Sequence, residues 1–131
     1  MPSIFTRILS GEIPGYILAE EEHFAAILDA FPLVRGHALV IPKVEVDYIF
    51  DMDDNILKEF HVFAKKIAIA QKKAIDCKKI GMAVIGLEVP HAHIHLIPMN
   101  QVQDMNFSNP KINLEKKEMQ EIQERIKSFL K

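Results

Sequence analysis

A single cysteine, Cys77, rules out an internal disulfide and leads to the expectation of a reducing compartment, the cytoplasm. That lone thiol reads as packed and inert. No run of apolar residues is long enough to cross a bilayer, so no membrane association is expected. The start, Met1-Pro2-Ser3-Ile4-Phe5-Thr6-Arg7, lacks the basic stretch and apolar run of a secretory signal. Charge of one sign is also missing: 16 basic residues stand against 18 acidic ones. That balance speaks against a broad basic surface for a nucleic-acid polymer, though it leaves room for a local phosphate site. There is no repeat and no low-complexity tract. What remains is ordinary globular composition, 49% hydrophobic and 26% charged, in 131 residues. This size predicts one domain, 1–131, with a core of its own.

Against that plain background stands His91-Ala92-His93-Ile94-His95-Leu96-Ile97-Pro98. Side chains alternate across a strand, so the spacing places His91, His93 and His95 on one face and Ala92, Ile94 and Leu96 on the other. A desolvated imidazole needs hydrogen-bond partners, and an ordinary core has no use for three in a row. Chemistry on the histidine face is the economical explanation.

Ser3 is placed to cap a helix through Ser10, with Ile4, Phe5, Ile8 and Leu9 inward and Gly11 as a stop. Gly11 to Gly15 reads as a turn. Tyr16–Ala19 and Phe24–Leu28 are apolar runs joined by an acidic connection, the pattern of an antiparallel hairpin. Ala38–Ile41 is a buried strand between Gly36-His37 and Pro42-Lys43. A long helix is predicted from near Asp51, carrying Ile56, Phe60, Phe63, Ala64, Ile67 and Ala74 inward, with Lys78 and Lys79 at its carboxyl end. Met82–Ile85 and Ala92–Ile97 complete the predicted strands. Residues 100–131 are read as an extension: a polar loop at the rim of the site, then an amphipathic helix with Met119, Ile122, Ile126, Phe129 and Leu130. The expected class is α+β: an antiparallel sheet of about five strands, one long helix and shorter terminal helices. Such a small sheet exposes an edge that a twofold dimer would cover.

Spacing alone leaves three uses for the histidines open: phosphoryl chemistry, metal binding and a structural role. His37 and nearby carboxylates could extend a metal site, but there is no Cys-x-x-Cys pair. His23 and His61 receive no role.

The segment Pro90 to Ile97 resembles the histidine triad of the HIT superfamily. Ser3-Ile4-Phe5 through Ile8, Gly11-Glu12-Ile13-Pro14, Ala26 to Asp29, Pro32 and Gly36 to Lys43 are similar, in order, to landmarks of its nucleotide-binding branch. The resemblance implies a homodimeric hydrolase that binds a purine nucleoside monophosphate or its conjugates and cleaves bonds at the α-phosphorus, with no metal or cofactor. It implies His93 as the nucleophile, His95 as a phosphate contact that assists the leaving group, and His91 with His37 as supports. It further implies Ile4, Phe5, Ile8 and Ile27 as walls around the base, Asp29 as the ribose partner and Gly86 as a close backbone contact. The four apolar residues read equally well as plain core, and Asp29 as a turn residue.

Two departures from the family pattern matter. The loop Ile85-Gly86-Leu87-Glu88-Val89-Pro90 is short and has Leu87 and Glu88 where relatives carry a glutamine and a hydroxyl residue that bonds phosphate. Many bacterial relatives bind structural zinc at positions that correspond to Ser3, Thr6, Glu45 and His91, a set that predicts no zinc here. The first departure keeps an alternative open, a nucleotide-binding or regulatory dimer with weak or no catalysis.

Overall fold

The computed structural model describes residues 2–130. Helix α1 (Ile4–Leu9) precedes a hairpin of β1 (Ile17–Glu20) and β2 (Phe24–Leu28), then β3 (Ala38–Pro42), the long α2 (Asp54–Ala74), β4 (Lys79–Ala83), β5 (Ile94–Met99) and α3 (Lys116–Lys127). The five strands form one sheet in the order β1-β2-β3-β5-β4, and every neighbouring pair is antiparallel. This is the α+β architecture that the pattern of apolar runs predicts. Among the described residues, no helix is long and apolar enough to cross a membrane.

Period-two alternation divides the central strands between two cores. Phe24, Ala26 and Leu28 of β2, with Ala38 and Val40 of β3, face α2 and meet Phe60, Phe63, Ala64 and Ile67. Phe24 stacks on Phe60 and Phe63 with ring centroids 5.4 and 5.8 Å apart. Ala25, Ile27, Leu39 and Ile41 point the other way and pack with Phe5 of α1 in a smaller cluster. Because helices cover both faces, β2 and β3 are buried throughout. Met119, Ile122 and Ile126 seat α3 on the larger core.

Beyond one-residue shifts at β1 and β3, four boundaries differ from the predicted ones. The long helix does not start at Asp51, since Ile49–Asp51 forms a separate 3-10 turn and Met52 is extended. Asp53 is the cap, its carboxylate accepting from the Asn55 N–H at 3.3 Å. At its other end α2 stops at Ala74, so Lys72 and Lys73 occupy its last turn, while Lys79 opens β4. The strand predicted at Met82–Ile85 lies earlier, because pairing with β5 runs from Lys79↔Met99 to Ala83↔His95. The histidine strand is displaced in the opposite sense. It begins at Ile94, and the Ala92 N–H instead bonds the Val46 carbonyl at 2.7 Å, outside the ladder. Only His95 belongs to a paired strand; His91 and His93 lie on the approach to it. Alternation still holds, for Ala92, Ile94 and Leu96 all enter the core under α2.

Gly36 sets the entry to β3. Its φ of +85° favours glycine, and a Cβ there would come within 2.9 Å of Ile75 Cγ1. Next to it, Gln71 is fully buried on α2 and donates from Nε2 to the Gly36 carbonyl at 2.8 Å and the Leu96 carbonyl at 3.1 Å. The residues on either side of those carbonyls include His37 and His95.

Candidate active site

The face of the sheet opposite α2 gathers His37 from the start of β3, His91 and His93 from the approach to β5, and His95 from β5 itself. Phe5 of α1 packs edge-on against His91 and His93, with centroids 5.5 and 4.9 Å away. His93 and His95 lie 4.8 Å apart in the same manner. His37, His91 and His93 are buried.

Backbone groups determine which ring nitrogen carries each proton. His93 Nδ1 lies 2.8 Å from the His91 carbonyl, which can only accept, so Nδ1 holds the proton and Nε2 keeps a free lone pair. Around His37 the roles reverse. The Leu33 N–H donates to His37 Nδ1 at 3.1 Å, which leaves the proton on Nε2. That proton is donated to His95 Nδ1 at 3.0 Å. Neutral His95 therefore carries its own proton on Nε2. The result is an acceptor at His93 next to a donor at His95.

Burial is the main reason these rings are neutral. Desolvation lowers the pKa of His37 to about 3, with the charge on His95 adding to the effect. His95 falls to about 4, first through burial and then through His93. His93 is lowered too, again mainly by burial, with the bond to the His91 carbonyl opposing it. Asp29 sits at the edge of this group with Oδ2 3.6 Å from His37 Nε2, and burial raises its pKa. Its Oδ1 accepts from the Phe31 N–H at 2.9 Å, so one oxygen closes a turn and the other faces the histidines. The turn reading of Asp29 is thereby met, and its second oxygen is left beside the histidines.

His91 is held in a different environment. Its Nε2–H donates to the Pro42 carbonyl at 2.7 Å, and its Nδ1 accepts from Ser3 Oγ at 2.5 Å. Ser3 also caps α1 by accepting from the Thr6 N–H, while the Ser3 N–H donates to Glu45 Oε1 at 2.6 Å. Ser3, Thr6, Glu45 and His91 thus converge, but as a hydrogen-bonded knot. Two hydroxyls, one carboxylate and an imidazole already engaged at both nitrogens do not fit a tetrahedral zinc site.

Asp29, His37 and His95 also place one ligand atom each within 4.8 Å of the others. The protonation pattern opposes a metal there. A metal on His37 Nε2 would drive the proton to Nδ1, against the Leu33 N–H, and leave that buried donor without an acceptor.

Of the residues implied as base walls, Phe5 and Ile27 are buried in the smaller core and Ile8 packs against it. Ile4 is 48% exposed and outside that cluster. Gly86 adopts φ +68°, and the nearest atom to a Cβ there is the Asp47 carbonyl oxygen at 4.0 Å, not a histidine. Leu87 is 90% exposed. The two histidines implied as supports are not equivalent in their contacts: His37 bonds His95, whereas His91 reaches His93 through its main-chain carbonyl.

Sequence reasoning does not single out Phe107, whose ring lies 4.8 Å from His95. A lone aromatic residue in a polar stretch downstream of the histidines is the signal that could have found it. Ser3 and Glu45 stand at replaced zinc positions in the sequence, and nothing local there announces that Ser3 bonds His91 while Glu45 accepts from the Ser3 N–H.

The HIT domain family matches residues 10–102, most of the chain including all four of these histidines. A HIT-like protein of Methanocaldococcus jannaschii is 38% identical over 99 residues, covering 72% of this chain and 77% of that one. An adenosine 5′-monophosphoramidase of Schizosaccharomyces pombe is 30% identical over 137 aligned residues, covering 100% of both. A histidine triad nucleotide-binding protein from Sulfolobus tokodaii superposes with a TM-score of 0.82 at 29% identity, covering 96% of this chain and 90% of that one. The chain belongs to the HIT family.

Proposed function

We infer that this protein is a purine nucleotide hydrolase that cleaves a bond to the α-phosphorus of a nucleoside phosphoramidate or related conjugate. The observation that carries this reading is the pairing of a free lone pair on His93 Nε2 with a proton on His95 Nε2, each set by a backbone group. Similarity to adenosine 5′-monophosphoramidases supports the substrate class.

His93 Nε2 attacks phosphorus and forms a P–N bond as the bond to the leaving group breaks. The leaving amine takes a proton delivered through solvent. The nucleotidylated ring then carries a positive charge, which the His91 carbonyl stabilises at Nδ1–H. Water attacks the same phosphorus, His93 departs with its lone pair restored, and the water's proton returns to solvent. His95 donates from Nε2 to a phosphoryl oxygen throughout, and His37 keeps it oriented for that task. Asp29 accepts from the ribose hydroxyls, and Ile4, Phe5, Ile8 and Ile27 face the base. Gly86 approaches the bound nucleotide through its backbone. No step requires a metal or cofactor.

The active form is a homodimer. Met82, Val84 and Ile85, on and just beyond the edge strand β4, are 54%, 38% and 47% exposed, an apolar rim suited to a second copy.

A second reading, a nucleotide-binding or regulatory dimer with little catalysis, is favoured by one observation: the loop before the histidines offers Leu87 to solvent and Glu88 in place of phosphate donors. Release of AMP from adenosine 5′-phosphoramidate, measured beside His93→Ala, separates the two. We expect release to fall by about a thousandfold or more in the variant, as for loss of a nucleophile, while AMP binding persists. Binding of AMP without release by the unmodified protein would establish the second reading, and no binding would defeat both.

A further inference from the structure

Resting on the hydrolase or nucleotide-binding reading, the geometry points to a cationic phosphate contact supplied by the segment that follows the histidine strand: Lys111, held over Phe107 at the rim of the site. The Phe107 ring leans edge-on against His95 with centroids 4.8 Å apart. Lys111 Nζ lies 5.8 Å from the centre of that same ring and 3.4 Å from the Phe107 carbonyl. This places the ammonium one contact away from His95. The following residue anchors the segment to the other side of the site, as the Ile112 N–H donates to the Pro32 carbonyl at 2.9 Å, in the loop that begins at Asp29. Nearer the strand, Asn109 Nδ2 donates to the Gln103 carbonyl at 2.7 Å and the Ser108 N–H to Asn106 Oδ1 at 2.9 Å. The segment is internally hydrogen-bonded, is tied to the Asp29 loop at Ile112, and carries one ammonium.

The site has a chemical need for that charge. His37, His93 and His95 are neutral near pH 7, so the histidine face offers hydrogen bonds but no cation to a phosphate. Residues 84–90 contain no lysine, arginine, serine or threonine, and their one charged residue is Glu88. Other cations flanking this face are already engaged, Arg7 with Glu12 at 3.3 Å and Lys43 with Glu20 at 3.1 Å. Lys111 is in no ion pair among the described residues, and its charge reaches Asp29, His37 and His95 alike. A phosphate held by His95, on a nucleoside whose ribose sits at Asp29, would meet it. Bending of this exposed side chain from the Phe107 carbonyl to a phosphoryl oxygen exchanges a weak neutral acceptor for a charged one.

The ligand class is thus a nucleoside carrying a 5′-phosphate, and Lys111 acts on its phosphate and not on its base or ribose. The test compares calorimetric affinities for AMP and adenosine in the unmodified protein, Lys111→Ala and Lys111→Arg. We expect Lys111→Ala to weaken AMP by roughly tenfold, the scale of one charge-assisted contact, to leave adenosine within twofold, and Lys111→Arg to restore AMP. Raising the salt concentration should narrow the AMP-over-adenosine preference in the unmodified protein more than in Lys111→Ala. Equal losses for both ligands, or no loss for either, would overturn the assignment. If the unmodified protein binds neither ligand, the nucleotide reading itself fails and takes this assignment with it, an outcome visible before any variant is made.

Discussion

His37 Nε2 lies 3.0 Å from His95 Nδ1, and the direction of that hydrogen bond is dictated from behind by the Leu33 N–H on His37 Nδ1. A main-chain donor four residues away from His37 thereby decides which nitrogen of His95 carries the proton. Both rings must stay neutral for this chain of donors to hold, and burial keeps them so.

That neutrality makes stability depend on pH with a definite sign. His37 and His95 titrate near 6.5 in an unfolded chain but at about 3 and about 4 in the folded protein. Between these values only the unfolded chain takes up the protons, so stability is complete above pH 6.5 and falls as pH drops toward 4. Asp29, raised by burial, gains its proton first in the folded state and offsets part of that loss just above the usual aspartate range. Urea midpoints at pH 7.5 and pH 5 check this, and His37→Asn should lessen the difference between them. Equal midpoints in the unmodified protein would contradict the account.

Removal of the Ser3 hydroxyl deletes a helix cap and the partner of His91 Nδ1 together. Ser3→Ala is expected to cost about 1–2 kcal/mol, the scale of a lost cap or a buried hydrogen bond. The check is a lower urea midpoint with an unchanged slope. A variant as stable as the parent would show that the knot of Ser3, Glu45 and His91 contributes nothing.

Gln71→Met tests the buried amide. The substitution leaves the Gly36 and Leu96 carbonyls without their donor but also removes Gln71 Oε1, which is buried without a partner. Loss of a buried donor shared by two carbonyls outweighs relief of one unpaired oxygen, and a net loss of about 1–3 kcal/mol is expected. Thermal unfolding measures it, and a gain in stability would reverse the ranking.

Asp29→Asn retains an oxygen to accept from the Phe31 N–H while it replaces the charge facing the site. AMP binding should weaken about tenfold, the scale of a hydrogen bond to a charged group, and 2′,3′-dideoxyadenosine monophosphate should be unaffected. Equal weakening of the two nucleotides would assign Asp29 to the turn alone.

Much of this arrangement is legible in the amino-acid order, and the exceptions share a cause. Phe24–Leu28 is an apolar run bounded by polar residues, and it forms a strand with those limits. Ser3 caps as its position predicts. Ala92, Ile94 and Leu96 alternate into the core and leave the histidines on the far face. By contrast β4 starts at Lys79 because Met99 lies opposite, and nothing local in Lys79-Ile80-Gly81 announces this. Asp51 and Asp53 are equal as local caps; the choice falls to Asp53 because Ile49 is buried by a separate turn. Histidine protonation rests on the Leu33 N–H and the His91 carbonyl, main-chain groups that carry no residue-specific signal. Phe107 meets His95 only once the chain has turned back after β5.

The bond between Ser3 and His91 spans 88 residues, so it closes a loop comprising most of the chain. Such distant contacts carry the entropy of bringing remote segments together and slow the folding that depends on them. The hairpin of β1 and β2 can form from neighbours, but the histidine segment is secured only when the beginning of the chain meets residues that emerge much later. During synthesis, the setting of His91 is therefore completed only after most of the sheet has emerged.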